Sequence, residues 1–337
     1  MCTVEKRGSM ELPVEDLQLV NALQIAPRAS WAELGTILGR HPATLSARWN
    51  RLREDRMAWV LGHLGGHPEQ HCTAFIEVVA DPALVQEARQ DLCAISEVLT
   101  VDDATSSADF RLTCLAADWL GMAREVLPRI RAARGVRRTK VSLCTKLYAT
   151  GNVWRLDVLS TAQQAQLQRL SHPPSAAPTL IPDTFWPMLR VLMRDGRATA
   201  SEIAQATGQH PSTTGRALKT ALETGMVTLR CELASHYTGY PLTVQWFAKV
   251  PAGAADAVAA FLREQRTLRL CASTTGAANM TFMMQLRTAA DIADVEARLA
   301  QAVPGVDIIE ACVGVHSFKR MGWMLDPDGR PTGEVVT

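Results

Sequence analysis

The spacing of apolar residues changes period several times along the chain. Leu17, Val20 and Leu23 recur at helical intervals within Glu15 to Ile25. Ser30 is placed to cap a second helix running to Leu38, Gly39 breaks it, and Pro42 starts a third helix reaching Arg53. Strand-like alternation then takes over. Cys72 to Val79, Ser96 to Asp103, Ala108 to Ala116 and Val136 to Leu147 read as strands, with helices expected over Pro82 to Leu92 and from an Asp118 cap to Ala133. That order is βαββαβ. It returns over Leu242 to Val250, Gly253 to Gln265, Leu268 to Thr274, Asn279 to Leu286, Thr288 to Ala302 and Val306 to Val315. Between the two sets, Ser160 to Leu170 predicts a short amphipathic helix, and His172 to Pro178 (HPPSAAP) an extended linker with a boundary near residue 175.

The chain also aligns on itself. Arg28 to Met57 lies on Arg197 to Met226 without a gap at an offset of 169, pairing Glu33 with Glu202, Gly39 with Gly208, His41 with His210 and Pro42 with Pro211. Later segments correspond at an offset of 170, where Ala108 to Leu115 meets Ala278 to Gln285. The expected fold class is α+β: two copies of a winged/helix-turn-helix domain plus a βαββαβ ferredoxin-like (RAM-type) domain. The expected domains are 12–62, 70–150, a linker with its helix over 151–179, then 180–233 and 241–320. Each βαββαβ sheet has one face without helices. Packing these faces together would make an internal pseudo-dimer, and the remaining edges and faces predict further assembly into a homo-oligomer.

Helix, helix, glycine turn, helix is a helix-turn-helix. In the third helix Leu45, Trp49 and Leu52 must face inward, which puts Thr44, Ala47, Arg48 and Arg51 outside on a small, basic face suited to a DNA major groove. A solvated face on a plain three-helix bundle is the bland alternative. The candidate contacts to double-stranded DNA are His41, Thr44, Ser46, Arg48 and Arg51, with Ser212, Thr213, Arg216 and Lys219 in the second copy. The second helix contains Gly215 and has Thr214 and Ala221 where the first has Leu45 and Leu52, so the first copy is expected to read most of the bases.

The run from Leu34 through Gly39, His41-Pro42, Thr44-Leu45 and Arg48-Trp49 to Leu52, together with Thr105 to Phe110 (TSSADF), resembles the Lrp/AsnC family of bacterial transcription regulators in tandem-duplicated form. The resemblance implies a small-molecule effector, amino acid-like, bound between βαββαβ domains. It places the effector at Ser106 and Asp109 in one copy and at Thr275, Gly276 and Asn279 in the other, with Asp109 as polar anchor. The sequence departs from the family where Ser106 replaces a glycine, Asn279 an acid, and Arg56 the glycine that usually ends the recognition helix in left-handed conformation.

Composition adds limits. The chain has 337 residues, 47% hydrophobic, with 35 Lys+Arg against 34 Asp+Glu, so any nucleic-acid contact rests on local basic faces. No apolar run is long enough to span a bilayer and Met1 to Met10 lacks a signal-peptide core, which points to a cytoplasmic protein without membrane contact. Eight scattered cysteines read as reduced thiols. Arg129 to Lys140 carries six basic residues and no acid, suited to DNA backbone, an acidic partner or simple exposure. His63, His67, His71 and Cys72 have a metal-like spacing, but Gly65, Gly66 and Pro68 forbid the helix it needs, so neither metal nor cofactor is expected. No catalytic motif is present. Two other readings stay open: an effector-binding protein without DNA binding, and an enzyme similar to sirohaem decarboxylases, which share this architecture and would use His236, Tyr237, Tyr240 and Trp246.

Overall fold

The computed structural model describes residues 12–65, 71–151, 153–171, 185–314 and 316–337. Three helices open the chain: α1 (Val14–Ile25), α2 (Trp31–Leu38) and α3 (Pro42–Glu54). The entry to α2 is fixed locally. Ser30 Oγ accepts from Glu33 N at 3.2 Å while Glu33 Oε2 accepts from Ser30 N at 2.8 Å, a reciprocal pair that satisfies two otherwise orphaned donors. Gly39, at φ 65°, ends the helix in the left-handed region. Leu34, Leu45, Trp49 and Leu52 bury against Leu19, Val20 and Leu23 of α1.

The remaining elements follow in order. They are β1 (Ala58–Leu64), β2 (Cys72–Ala80), α4 (Val85–Ala94), β3 (Val98–Asp103), β4 (Phe110–Ala116), α5 (Trp119–Gly121), α6 (Leu127–Ala132), β5 (Val136–Ala149) and α7 (Thr161–Leu170). Next come α8 (Phe185–Arg194), α9 (Ala200–Thr207), α10 (Pro211–Glu223), β6 (Val227–Leu233), β7 (Leu242–Lys249), α11 (Ala255–Arg263), β8 (Leu268–Thr274) and β9 (Met280–Leu286). The chain closes with α12 (Asp291–Ala302), β10 (Asp307–Gly314), β11 (Ser317–Arg320), β12 (Trp323–Leu325) and β13 (Pro331–Val335). A π-helical stretch, Met122–Val126, joins α5 to α6 within what the sequence presents as one helix. The linker boundary near residue 175 lies outside the described residues, as do Met1 to Met10 and His67.

The two helix-turn-helix units pack as approximate two-fold mates. Strands β1 and β6 pair antiparallel with Leu61 opposite Arg230, the same position in the two copies, as an axis through that pair requires. Arg28 donates to the carbonyls of Gly196 and Ala198 at 2.7 and 2.9 Å, and Arg197 returns bonds to those of Pro27 and Ala29 at 2.5 and 3.0 Å. All four carbonyls are tied by charged donors, the stronger class of hydrogen bond.

The strand order β5-β2-β4-β3 forms one sheet and β10-β7-β9-β8 the other. One face of the first takes α4 and α6 over Ile76, Val78, Leu112 and Cys114; the second is covered likewise by α11 and α12 over Val244, Trp246, Phe282 and Met284. The opposite faces turn toward each other across a cavity. Both seams are zipped: β5 pairs with β8, and β3 with β11. These pairings occupy edges that the sequence reading leaves for a second copy, so unpaired edges are no longer a reason for further assembly. Strands β11 to β13 have no counterpart in the sequence expectations.

Candidate functional site

The outer face of α3 exposes His41, Thr44 and Ala47, with Ser46 half-buried. His41 Nδ1 accepts from Ala43 N at 3.2 Å, so this side chain caps the helix. His210 caps α10 in the same way through Ser212 N. Arg48 and Arg51 are not free on that face: both bind the fully buried carboxylate of Asp16, Arg48 Nη1 at 2.8 Å from Oδ1 and Arg51 at Oδ2. Spacing along α3 does not reveal this, because the partner sits 32 residues upstream. Arg53 is also engaged, 3.0 Å from Asp195 of the second unit.

The second unit solves the same packing problem without charge. At the offset of 169, Phe185, Ala217 and Thr220 stand for Asp16, Arg48 and Arg51, and Phe185 is buried in the apolar core with Met188, Leu189 and Leu192. This leaves Ser212, Thr213 and Arg216 exposed, Arg216 without an ion-pair partner among the described residues, while Lys219 lies 3.8 Å from Glu223. The expected ranking of the two helices as readers therefore loses its footing, since the arginines that favoured α3 are engaged internally. Arg56 adopts φ 56° although it is not glycine, and Gly225 adopts 71° at the matching position, so the left-handed turn is kept in both units.

The loop residues singled out as an effector site turn out to hold strands together. Asp109 Oδ2 accepts from Ala80 N at 2.8 Å; Asn279 grips Val250 at both N (2.7 Å) and O (2.9 Å). This equivalence explains how an acid in one copy is an amide in the other. Thr275 Oγ1 accepts from Leu143 N at 3.0 Å, and Thr105 Oγ1 meets Val313 N at 3.1 Å, so the two loops cross-link the sheets reciprocally. Ser106 Oγ accepts from Ala108 N, and Gly276 has φ 111°, open to no side chain. None of the five lines the central cavity.

The cavity measures about 320 Å³ and lies between the helix-free sheet faces under the β1–β6 ribbon. Its polar wall carries Arg230 of β6, Arg269 of β8 and Arg320 of β11. Behind them Glu232, fully buried, lies 3.3 Å from Arg230, 2.9 Å from Arg269 and 3.9 Å from Arg320. Burial alone would raise the Glu232 carboxyl, but the three guanidinium groups outweigh it and hold it down to about 2. Burial pushes Arg230 down to about 10 and, with Arg230 beside it, His63 to about 3. His63 Nδ1 lies 2.9 Å from Leu64 O, so in the neutral ring Nδ1 carries the proton and Nε2 is an acceptor. Sequence analysis missed this site. The signal was present: Arg230, Arg269 and Arg320 sit where the first copy has Leu61, Leu99 and Thr150.

The remaining candidates disperse. His236 and Tyr237 lie in a 3-10 turn, Tyr237 bonded to Arg330; Tyr240 stacks with Arg287; Trp246 is buried under the helices, donating to Glu296 at 2.9 Å. They form no common site. Four of the six residues of the basic run are ion-paired: Arg129 with Glu97, Arg134 with Asp91, Arg137 with Asp81 and Lys140 with Glu77, each within 2.8 Å. Cys72 and Cys144 are half-buried and the other five described cysteines buried, all as free thiols. No group of metal-binding side chains occurs among the described residues. No helix among them is long and apolar enough to cross a membrane.

Residues 16–53 match the AsnC-type helix-turn-helix domain, and residues 73–153 the Lrp/AsnC ligand binding domain. The chain carries Lrp/AsnC-type domains. An uncharacterised HTH-type transcriptional regulator of Pyrococcus horikoshii is 26% identical over 155 residues, 45% of this chain and 97% of that protein. A similar regulator of Pyrococcus abyssi is 24% identical over the same length. Among solved structures the siroheme decarboxylase NirDL shares the fold with a TM-score of 0.57 at 13% identity, over 91% of this chain and 93% of that one. Its complex with an iron-uroporphyrin III analogue gives 0.58 at 12%. The Lrp/AsnC-type pairing of helix-turn-helix with ligand-binding domain thus accounts for α1 through β5, and the same element order recurs from α8 to β10.

Proposed function

We propose that the protein is a transcription regulator of the Lrp/AsnC type that binds double-stranded DNA through α3 and α10 and responds to a small molecule. The observation that carries this is the AsnC-type helix-turn-helix, whose third helix is capped, packed on one side and open on the other. Thr44 and Ser46, with Ser212, Thr213, Arg216 and Lys219, are the contacts the exposed faces offer; Arg48 and Arg51 reach phosphate only by sharing with Asp16. The reciprocal Arg28 and Arg197 bonds hold the units at one spacing, which favours a fixed separation of the two contacted DNA segments. The test is a gel shift with DNA from upstream of the protein's own gene at several salt concentrations. A complex that resists random competitor and weakens linearly in log salt supports the reading.

One observation favours an alternative, decarboxylation of a sirohaem-type tetrapyrrole: the fold shared with NirDL over nearly the whole chain. A shifted Soret band on adding sirohaem to purified protein would favour the enzyme.

A further inference from the structure

Each helix-turn-helix unit carries a groove beside its third helix, and the two grooves are related by the internal offset of 169. The first, about 430 Å³, lies between α3, β1, the end of α8 and the β12–β13 hairpin; the second, about 570 Å³, lies between α10, β6 and the end of α1. The duplication makes each groove a control for the other. Where the first is lined by Arg53, Trp59 and Arg194, the second has Leu222, Thr228 and Ile25. Glu54 is matched by Glu223, and among the shared lining positions the exchange runs the other way only at Asn50, which Lys219 replaces. Arg28 and Arg155 also reach the second groove, but both donate to backbone carbonyls, those of Gly196, Ala198 and Trp154. Arg56 completes the contrast. It lines the first groove at φ 56°, in the left-handed region that Gly225 occupies without a side chain in the second unit. A strained position that holds an arginine rather than a glycine points to a use for that side chain. Trp59, 4% exposed, lines the groove with Trp323, their ring centroids 6.1 Å apart. Its Nε1 is a buried donor with no partner among the described residues, whereas Trp323 Nε1 donates to Met193 O at 2.9 Å.

We infer that the first groove binds a phosphate monoester carrying a flat ring, the chemistry of a mononucleotide. Of the three lining arginines, Arg53 is tied to Asp195 at 3.0 Å, so the phosphate falls to Arg56 and Arg194, both exposed. Two guanidinium groups match the charge of a phosphate monoester, about −1.5 to −2, better than the single charge of a carboxylate, and their planar forks meet its oxygens in pairs. The indoles of Trp59 and Trp323, with Pro331, give the ring a flat apolar surface. Asn50 and Glu54, exposed on α3, accept from sugar hydroxyls. Arg194 also donates to Val335 O at 3.4 Å, so the hairpin that forms one side of the groove is held by a residue that meets the phosphate. The groove shares no lining residue with the cavity between the sheets. The site goes beyond the regulator reading and does not rest on it.

Isothermal titration of the full chain with AMP, GMP, CMP and UMP, beside the four nucleosides and inorganic phosphate, tests the site. The expected result is saturable binding of at least one mononucleotide, roughly tenfold or more tighter than its nucleoside or phosphate alone. Arg56→Gly and Arg194→Ile, which install the residues of the second unit, should each weaken it roughly tenfold or more. Arg56→Gly separates binding from folding, because it relieves the left-handed strain and should not lower the urea midpoint. Lys249→Met, which removes an exposed charge elsewhere, should bind as the unaltered chain does. The inference is overturned if no mononucleotide binds, if a nucleoside or phosphate alone binds as tightly, or if Arg56→Gly and Arg194→Ile bind normally. A gel shift that these two variants weaken, in a protein that binds no mononucleotide, would assign the arginines to the duplex backbone; it would overturn the inference and leave the regulator reading standing.

Discussion

Removing Asp16 sets stability against DNA affinity in a way that tests how the first helix-turn-helix is built. Its carboxylate is fully buried and neutralises Arg48 and Arg51, whose side chains are 29% and 53% exposed. Stripping one partner from a fully buried pair costs ~3–5 kcal/mol. Both arginines can recover water by swinging outward, so Asp16→Asn should cost about 2 kcal/mol, read as a lower urea midpoint with an unchanged slope. The second unit shows the compensation: Phe185, Ala217 and Thr220 fill the equivalent space without charge. The triple change Asp16→Phe, Arg48→Ala, Arg51→Thr should therefore recover at least half of the loss. In Asp16→Asn the freed arginines should also bind random DNA more tightly. The reasoning fails if the triple variant is no more stable than the single one, or if Asp16→Asn is neutral.

Three other outcomes follow from local geometry. Arg56→Gly should stabilise the protein by ~1 kcal/mol, because a side chain at φ 56° bears a left-handed penalty that glycine escapes; an unchanged urea midpoint would count against it. The His63 imidazole, pushed down to about 3, is neutral when folded, so the unfolded chain binds the extra proton and stability is lost as pH falls below ~6.5. The full effect, reached only toward pH 3, is bounded at ~5 kcal/mol by ~1.4 kcal/mol per unit, and His63→Leu should flatten that limb of the pH–stability curve. Asp109→Asn should cost under ~0.5 kcal/mol, since Asn279 performs the same task in the other copy, whereas Asp109→Ala should cost ~1–2 kcal/mol for the lost bond to Ala80 N.

Much of the architecture was legible where local rules act alone. Ser30, Gly39 and Pro42 set the helix limits of the first unit within a few residues, and alternation located the eight strands of the two βαββαβ sets. Leu61 and Arg230, which face each other in the β1–β6 pair, are themselves related by the offset of 169, although that pairing was not foreseen. What escaped depends on distant partners. A helical wheel shows Arg48 and Arg51 on one side but not the carboxylate of α1 that claims them. The bond that Asp109 accepts from Ala80 N, 29 residues away, is likewise invisible in the sequence. Arg230, Arg269 and Arg320 lie in different strands and become one site only when the sheets face each other. The pairing of β3 with β11 likewise depends on a carboxy-terminal segment with weak alternation.

The central claim is that α3 and α10 bind DNA. It is tested most directly by titrating DNA from upstream of the protein's own gene with purified protein, at 50 to 300 mM salt, beside a random fragment of equal length. The account predicts a preferred complex at nanomolar protein whose log affinity falls with log salt, weakened by Arg216→Ala on both fragments. Equal and negligible binding to both fragments at the lowest salt, by protein that is folded and still takes up a ligand, would contradict it.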